Sequence, residues 1–276
     1  MRTPVVRWNE DYELDGEANS NAYWDSVANA VGYAVRLTKP NGEVSVMNFS
    51  ETQRAFQEAY LEVGEYIVEV KALSDGANAD VYDSTYSTPI IVRRLASPAP
   101  DGEGWLSSKP DDLSAGFTAR FSEVTGAAGY ILYRDNTEIM RTDSTRRYFT
   151  VTDFADVTST DEQTYNFKIR CSGQVRQENG ATVVTLGSLS VSTMTFDITV
   201  LAVPSSPSIS GFTYSFNSVS KAADYAVAVG GSRYFSKGTT YDLGILEAGV
   251  FPVSVCARGN GTDVLPSAYS APITVH

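Results

Sequence analysis

Trp24-Asp25-Ser26-Val27, leading through a small-residue turn to Gly32-Tyr33, is written twice more in this chain. The second copy runs from Phe121-Ser122-Glu123-Val124 to Gly129-Tyr130, and the third from Phe216-Asn217-Ser218-Val219 to Asp224-Tyr225. Each copy sets Val three residues, and Tyr nine residues, after the leading aromatic, and the Tyr positions lie 97 and 95 residues apart. A repeat of that length is a domain-sized unit, so the 276 residues read as three copies of one fold. The expected units are 1–96, 97–203 and 204–276.

Between the repeated phrases the chain alternates as short strands do. Tyr66, Val68, Val70 and Ala72 share one face of a strand, and Tyr165-Asn166-Phe167-Lys168-Ile169-Arg170-Cys171 aligns with it in the second unit. Turn signals follow each run, among them Lys39-Pro40-Asn41-Gly42 and Arg134-Asp135-Asn136-Thr137. Thr52 to Tyr60 has weak helical character, but its place in the series favours a strand or an irregular edge segment. Pro-rich connectors, Ala96 to Gly102 and Val203 to Pro207, separate the units as semi-rigid spacers. The second unit carries an insertion near 172–187, whose run Thr182-Val183-Val184-Thr185-Leu186 suggests an extended hairpin. The third unit is shortened in its middle strands, and Pro252 sits uncomfortably where a central strand should continue. Fold class is therefore all-β, as tandem antiparallel sandwiches.

These phrases resemble the fibronectin type III domain, a seven-stranded sandwich of two sheets. In that resemblance Trp24 is the core Trp of the second strand, Tyr33 lies in the third, and Tyr66 is the tyrosine corner of the sixth. Tyr86-Ser87-Thr88-Pro89-Ile90 and Tyr269-Ser270-Ala271-Pro272-Ile273 resemble the last strand. Phe121 and Phe216 replace the Trp, and Phe251 replaces the corner Tyr, losing its hydroxyl. The implied core is thus Trp24, Tyr33, Tyr66, Phe121, Tyr130, Tyr165, Phe216, Tyr225 and Phe251.

Little in the chain points to catalysis. The single His is the last residue, His276, which removes most Ser-His and Cys-His nucleophilic schemes and His-based metal sites. No phosphate-cradling Gly loop or dinucleotide fingerprint is present. No catalytic, cofactor or metal residue is therefore assigned, and the chain reads as a non-enzyme. Loop carboxylates Asp75, Asp80 and Asp83, or Asp153 and Asp156, could gather calcium, but their spacing fits no EF-hand loop. Cys171 aligns with Ala72 and Cys256 with Lys71, on opposite strand faces of different units, so no disulfide is expected. Unpaired thiols suit a reducing cytoplasm.

Net charge is −12, carried unevenly. Residues 1–96 hold 8 basic and 15 acidic side chains, 97–203 hold 9 and 14, and 204–276 hold 4 and 4. An acidic chain without a basic stripe is a poor nucleic-acid binder, and no apolar run approaches the roughly 20 residues of a membrane-spanning helix. Met1 to Trp8 lacks the apolar core of a secretory leader. The expected role is a structural or interaction protein: a decoration, fibre or tail component of a phage-like virion, whose partners are other subunits of the assembly. The alternative is a bacterial cell-surface or secreted accessory module, adhering to a host-surface protein or a glycan. Adjacent aromatics Tyr148 and Phe149, and Tyr234 and Phe235, are the candidate partner contacts, and the neutral third unit is the candidate attachment end.

Overall fold

The computed structural model describes residues 1–9, 14, 20–77, 80–101, 106–154, 161–190, 193–244 and 249–275. Among them lie three buried apolar clusters, each enclosed by a pair of sheets. The first sandwich uses β1 (Val6–Trp8), β2 (Ser20–Trp24), β3 (Gly32–Thr38), β4 (Val44–Ser50), β5 (Ala55–Glu58), β6 (Gly64–Leu73) and β7 (Ile90–Arg94). The sheet β1-β2-β5 faces a sheet containing β7-β6-β3-β4. The second sandwich uses β8 (Leu106–Ser108), β9 (Phe117–Arg120), β10 (Gly129–Arg134), β11 (Thr137–Asp143), β12 (Tyr148–Val151) and β13 (Gln163–Ser172). A hairpin of β14 (Gln174–Glu178) and β15 (Ala181–Leu186) follows, then β16 (Met194–Val200). The third uses β17 (Ser208–Ser210), β18 (Thr213–Ser215), β19 (Asp224–Val229), β20 (Ser232–Ser236), β21 (Thr240–Asp242), β22 (Phe251–Arg258), β23 (Val264–Leu265) and β24 (Ile273–Val275). The same 3-on-4 order recurs: β12-β9-β8 with β11-β10-β13-β16, and β17-β18-β21 with β20-β19-β22-β24.

The repeated phrase has one physical cause. In every copy the Tyr hydroxyl reaches back to accept the Val amide six residues earlier: Val27 to Tyr33, Val124 to Tyr130 and Val219 to Tyr225, each at 2.9 Å. The leading aromatic packs on the same ring, at centroid distances of 5.5 Å for Trp24–Tyr33, 4.6 Å for Phe121–Tyr130 and 4.8 Å for Phe216–Tyr225. Between them a tight turn closes, with the Ala30, Ala127 and Ala222 amides donating to the Val27, Val124 and Val219 carbonyls. Tyr therefore supplies both core area and the acceptor for an amide that no strand reaches.

The expected elements are present with a few differences. Thr52 to Tyr60 contains the strand β5. Asp135 and Asn136 both take positive φ (49° and 70°), giving the mirror-image turn that suits a two-residue hairpin. Tyr66 makes the corner, accepting the Glu62 amide at 2.8 Å. Tyr165, aligned with it, is half-buried, and its hydroxyl donates to Gln163 at 2.7 Å. Pro252 is accommodated because the β19–β22 ladder ends at Val229–Val253: on that side only its carbonyl is used, accepting the Gly230 amide at 3.1 Å, while on the other it pairs with Thr274 of β24. Asp15, Gly16 and His276 lie outside the described residues.

Replacing Tyr33, Tyr130 or Tyr225 by Phe keeps the ring and strands the Val amide. Each change is expected to cost about 1–3 kcal/mol of unfolding free energy, read from urea denaturation. An unchanged midpoint for all three would show that the hydroxyls do not anchor the turn.

Candidate functional site

The insertion of the second sandwich does not stay with that sandwich. Asn179 and Gly180 (φ 50° and 81°) turn β14 into β15, and β15 lies parallel against β7, pairing Thr182 to Leu186 with Ile90 to Arg94. The first sandwich thus has a six-stranded sheet, β14-β15-β7-β6-β3-β4, whose outer two strands belong in sequence to its neighbour. Val184 and Leu186 enter the first core. In return, Leu95, just past β7, enters the second core, and its amide donates to the Leu186 carbonyl at 3.0 Å.

The second junction repeats this register. Thr199 and Val200 of β16 pair in parallel with Val264 and Leu265 of β23. Leu265 enters the second core, Leu201 enters the third, and the Leu201 amide donates to the Leu265 carbonyl at 3.3 Å. A serine fixes the equivalence of the segments. The Ala72, Cys171 and Ala257 amides donate to Ser84, Ser188 and Ser267 hydroxyls at 2.8, 3.0 and 2.9 Å. Counting back from each serine, Tyr82, Leu186 and Leu265 occupy one position. Gly173 and Gly259 share another, where a Cβ would meet the Thr185 carbonyl at 2.2 Å and the Val264 carbonyl at 1.8 Å. Glycine is needed there because the donated segment folds straight back over the strand end.

Polar contacts lock both joints. Arg94 is almost fully buried, donating through Nε to the Tyr60 carbonyl (2.9 Å) and through Nη1 to the Gly187 carbonyl (2.6 Å). Tyr60 holds a left-handed backbone (φ 45°) with its ring 4.9 Å from Tyr66 and 6.4 Å from Trp8, which aims its carbonyl at that guanidinium. Arg93 bridges to Glu178 of the hairpin at 3.4 Å. At the second joint Lys221 pairs with Glu162, Arg233 with Asp111 at 3.3 Å, and the Gly259 amide donates to the Pro110 carbonyl. The Thr199 amide donates to the Asp263 carbonyl, while the Asp263 carboxyl is held below its usual range by Asn260 and then Thr262. The connectors are tied down as well: Ala99 exchanges hydrogen bonds with Ser122, and Asn217 bonds Ser205.

The predicted contact residues divide. Tyr148 is exposed under the Arg146 guanidinium (4.6 Å), whereas Phe149 is buried against Phe121 and has no surface to offer. Strand alternation gives one inward member there. It does not at Tyr234 and Phe235 of the edge strand β20, which are both exposed. Tyr234 meets Tyr241 at 5.6 Å and Phe235 lies beneath Arg258 at 4.3 Å. The remaining core assignments stand in the three clusters, except that Tyr165 and Phe251 are packed at the edge of theirs. Asp83 accepts from the Ser74 amide and Lys71, which lower its pKa, and Asp75 accepts from the Ala77 amide. Among the described residues no three acidic, His or Cys side chains gather as a cation cluster; Asp156 lies outside them. Cys171 and Cys256 are both buried and unbridged, and burial pushes their thiols up to about 12 and about 11.

Two signals for the junctions stood in the sequence. One is Asn179-Gly180 between alternating runs. The other is a phrase that recurs at the head of the chain and at both connectors, Met1-Arg2-Thr3-Pro4, Leu95-Ala96-Ser97-Pro98 and Leu201-Ala202-Val203-Pro204, whose first residue at the two connectors, Leu95 and Leu201, is the one handed across.

No family model matches the sequence, and no curated protein matches it. Solved structures that align with it are fibronectin type III arrays. The chicken CNTN1 FN1–FN3 domains are 14% identical over 99% of this chain and 98% of that one, with a TM-score of 0.28. The central fibronectin-III array of RIM-binding protein is 14% identical over 98% and 96%, at 0.26. The fibronectin(III)-like modules of Clostridium thermocellum CbhA are 11% identical over 68% and 96%, at 0.30. At these scores the strand order, and not the superposition, carries the assignment. The chain folds as tandem fibronectin type III-like sandwiches.

Leu265→Ala is expected to lose about 2–5 kcal/mol and to loosen the second joint, seen as a broader distance distribution in small-angle X-ray scattering. Unchanged scattering would deny Leu265 that role. Both thiols should stay silent to a thiol reagent at pH 8 and react on unfolding, since a protonated, covered thiol is a poor nucleophile; reaction in the native state would contradict their burial.

Proposed function

We propose that this chain is a non-enzymatic structural and interaction protein that decorates or extends a phage-like virion as a capsid-decoration, fibre or tail component. It comprises three fibronectin type III-like units, 1–96, 97–203 and 204–276, interlocked as one array. Tandem sandwiches of this kind serve as structural and protein-interaction modules.

The observation that carries this reading is the pair of strand-donating joints. Sandwiches on free linkers reorient readily. Here each joint combines a shared sheet, a reciprocal exchange of leucines and cross-joint ion pairs, so the array holds its ends at a set separation. That suits a component projecting from a particle. Buried, unbridged thiols suit assembly in a reducing cytoplasm. The charge-balanced third unit is the proposed attachment end, since an acidic partner would not repel it.

The test is fractionation of native particles on a density gradient. The expected result is this chain at constant stoichiometry with the particle, lost when residues 204–276 are deleted. Recovery only as free protein would overturn the location; retention of the deleted form would move the attachment elsewhere. A second reading, a cell-surface or secreted module that binds a host protein or glycan, is favoured by the exposed Tyr234, Phe235 and Tyr241 group, since aromatic faces stack on sugar rings. Its mark would be glycan-array binding abolished by Tyr234→Ala.

A further inference from the structure

Each sandwich closes one side of its larger sheet with an edge strand, β4, β11 or β20, and among the described residues no strand pairs with the outer side of any of them. Charges on an edge strand ward off strand addition, and the three differ in what they carry. β11 has Glu138, Arg141 and Asp143, and its register against β10 shifts between Leu132 and Tyr133. β4 has no charge, but the Gln53 side chain takes the Ser50 amide at its end, and its unit has the largest acidic excess. β20, Ser232-Arg233-Tyr234-Phe235-Ser236, has one charged residue, whose guanidinium is held by Asp111 at 3.3 Å. Its Tyr234 and Phe235 are both exposed.

The backbone of β20 is set for a partner. Val229 and Ser232 flank the two-residue turn Gly230-Gly231, whose glycines both take positive φ (57° and 92°). Ser232, Tyr234 and Ser236 therefore turn their amides and carbonyls to β19, while Arg233 and Phe235 turn theirs outward. An antiparallel copy of the same strand, centred on Tyr234, sets Arg233 opposite Phe235 in both directions, so every outward donor meets an acceptor. Tyr234 then stands opposite itself, with Tyr241 at 5.6 Å beside each ring. A register centred on Phe235 would set Arg233 against Lys237, and like charges directly opposed across strands repel.

We propose that β20 pairs antiparallel with β20 of a second copy of this chain, joining two sheets across a two-fold axis and packing Tyr234 and Tyr241 of both copies together. The occupant is a second copy because electrostatics permits self-pairing at this edge and opposes it at the other two. Residues 204–276 are charge-balanced, with 4 basic and 4 acidic side chains, whereas pairing through β4 or β11 brings two acidic units together. β20 runs along the length of its sandwich, so antiparallel pairing points the acidic units of the two copies in opposite directions. The contact is isologous and closes on itself as a dimer. It concerns association of the chain with itself and does not depend on where the array is displayed.

The experiment is sedimentation velocity of the whole chain over a wide concentration range, beside Tyr234→Lys, whose folding is verified by circular dichroism. The expected result is a weight-average mass that rises from 29.9 kDa with concentration and levels off at a pair. Association is expected to weaken about tenfold or more in Tyr234→Lys, as for loss of an aromatic anchor. A second readout is mild oxidation of Tyr234→Cys. Residues facing each other in this way lie about 4.5 Å apart between Cα atoms, within reach of a disulfide, and the buried native thiols do not compete. A cross-linked pair is expected from Tyr234→Cys and not from Val46→Cys on β4. A monomer at every concentration would overturn the proposal and leave the aromatics to a ligand such as a sugar. Growth past a pair, equal association by Tyr234→Lys, no cross-link in Tyr234→Cys, or equal cross-linking of Val46→Cys would overturn it too.

Discussion

A β-sheet edge is a row of backbone donors and acceptors that something must satisfy, and this array is organised around how its last strands meet that requirement. In an isolated sandwich the final strand faces water along one side. Here β7 and β16 each receive a parallel strand from the sandwich that follows. Parallel pairing joins chain segments far apart in sequence, because the two strands run the same way and no tight turn connects them. The same act that closes the edge therefore couples neighbours, and the leucine exchange fixes the angle at which they meet.

Unequal investment in the two joints follows from hairpin length. The first uses five paired positions, a buried arginine and an ion pair to the hairpin; the second uses two paired positions and relies on ion pairs from the flanking turns. Arg94 occupies the register position of Val200, so one joint is filled by a cation satisfied by carbonyls and the other by an aliphatic side chain. A lone buried guanidinium is costly unless its donors are met. Tyr60 accepts from Nε and Gly187 from Nη1, one from each side of the joint.

Fold was legible because it is local. The aromatic-Val-Tyr phrase specifies a turn within ten residues, and alternation in Tyr66 to Ala72 shows directly which face is inside. The insertion was legible as a hairpin for the same reason. Its destination was not, since nothing in Thr182 to Leu186 says whether its apolar faces cover the parent sandwich or the one before. A run without polar–apolar alternation marks burial on both faces without naming the neighbours. Phe149 and Phe235 show the same limit from the other side. Alternation says which residues share a face, but not whether that face is covered: Phe149 is buried against Phe121, whereas Phe235 is exposed beneath Arg258.

The strand donated to β7 also sets an order of events during synthesis. Ile90 pairs with Thr182, so the first sandwich emerges with its final edge open and stays so while almost all of the second is being made. Contacts this distant in sequence form late, and an open edge in the interval is a route to misassembly. The first sandwich is finished by the second, and the second by the third, which makes the array a chain of deferred completions in which each unit vouches for the one before it.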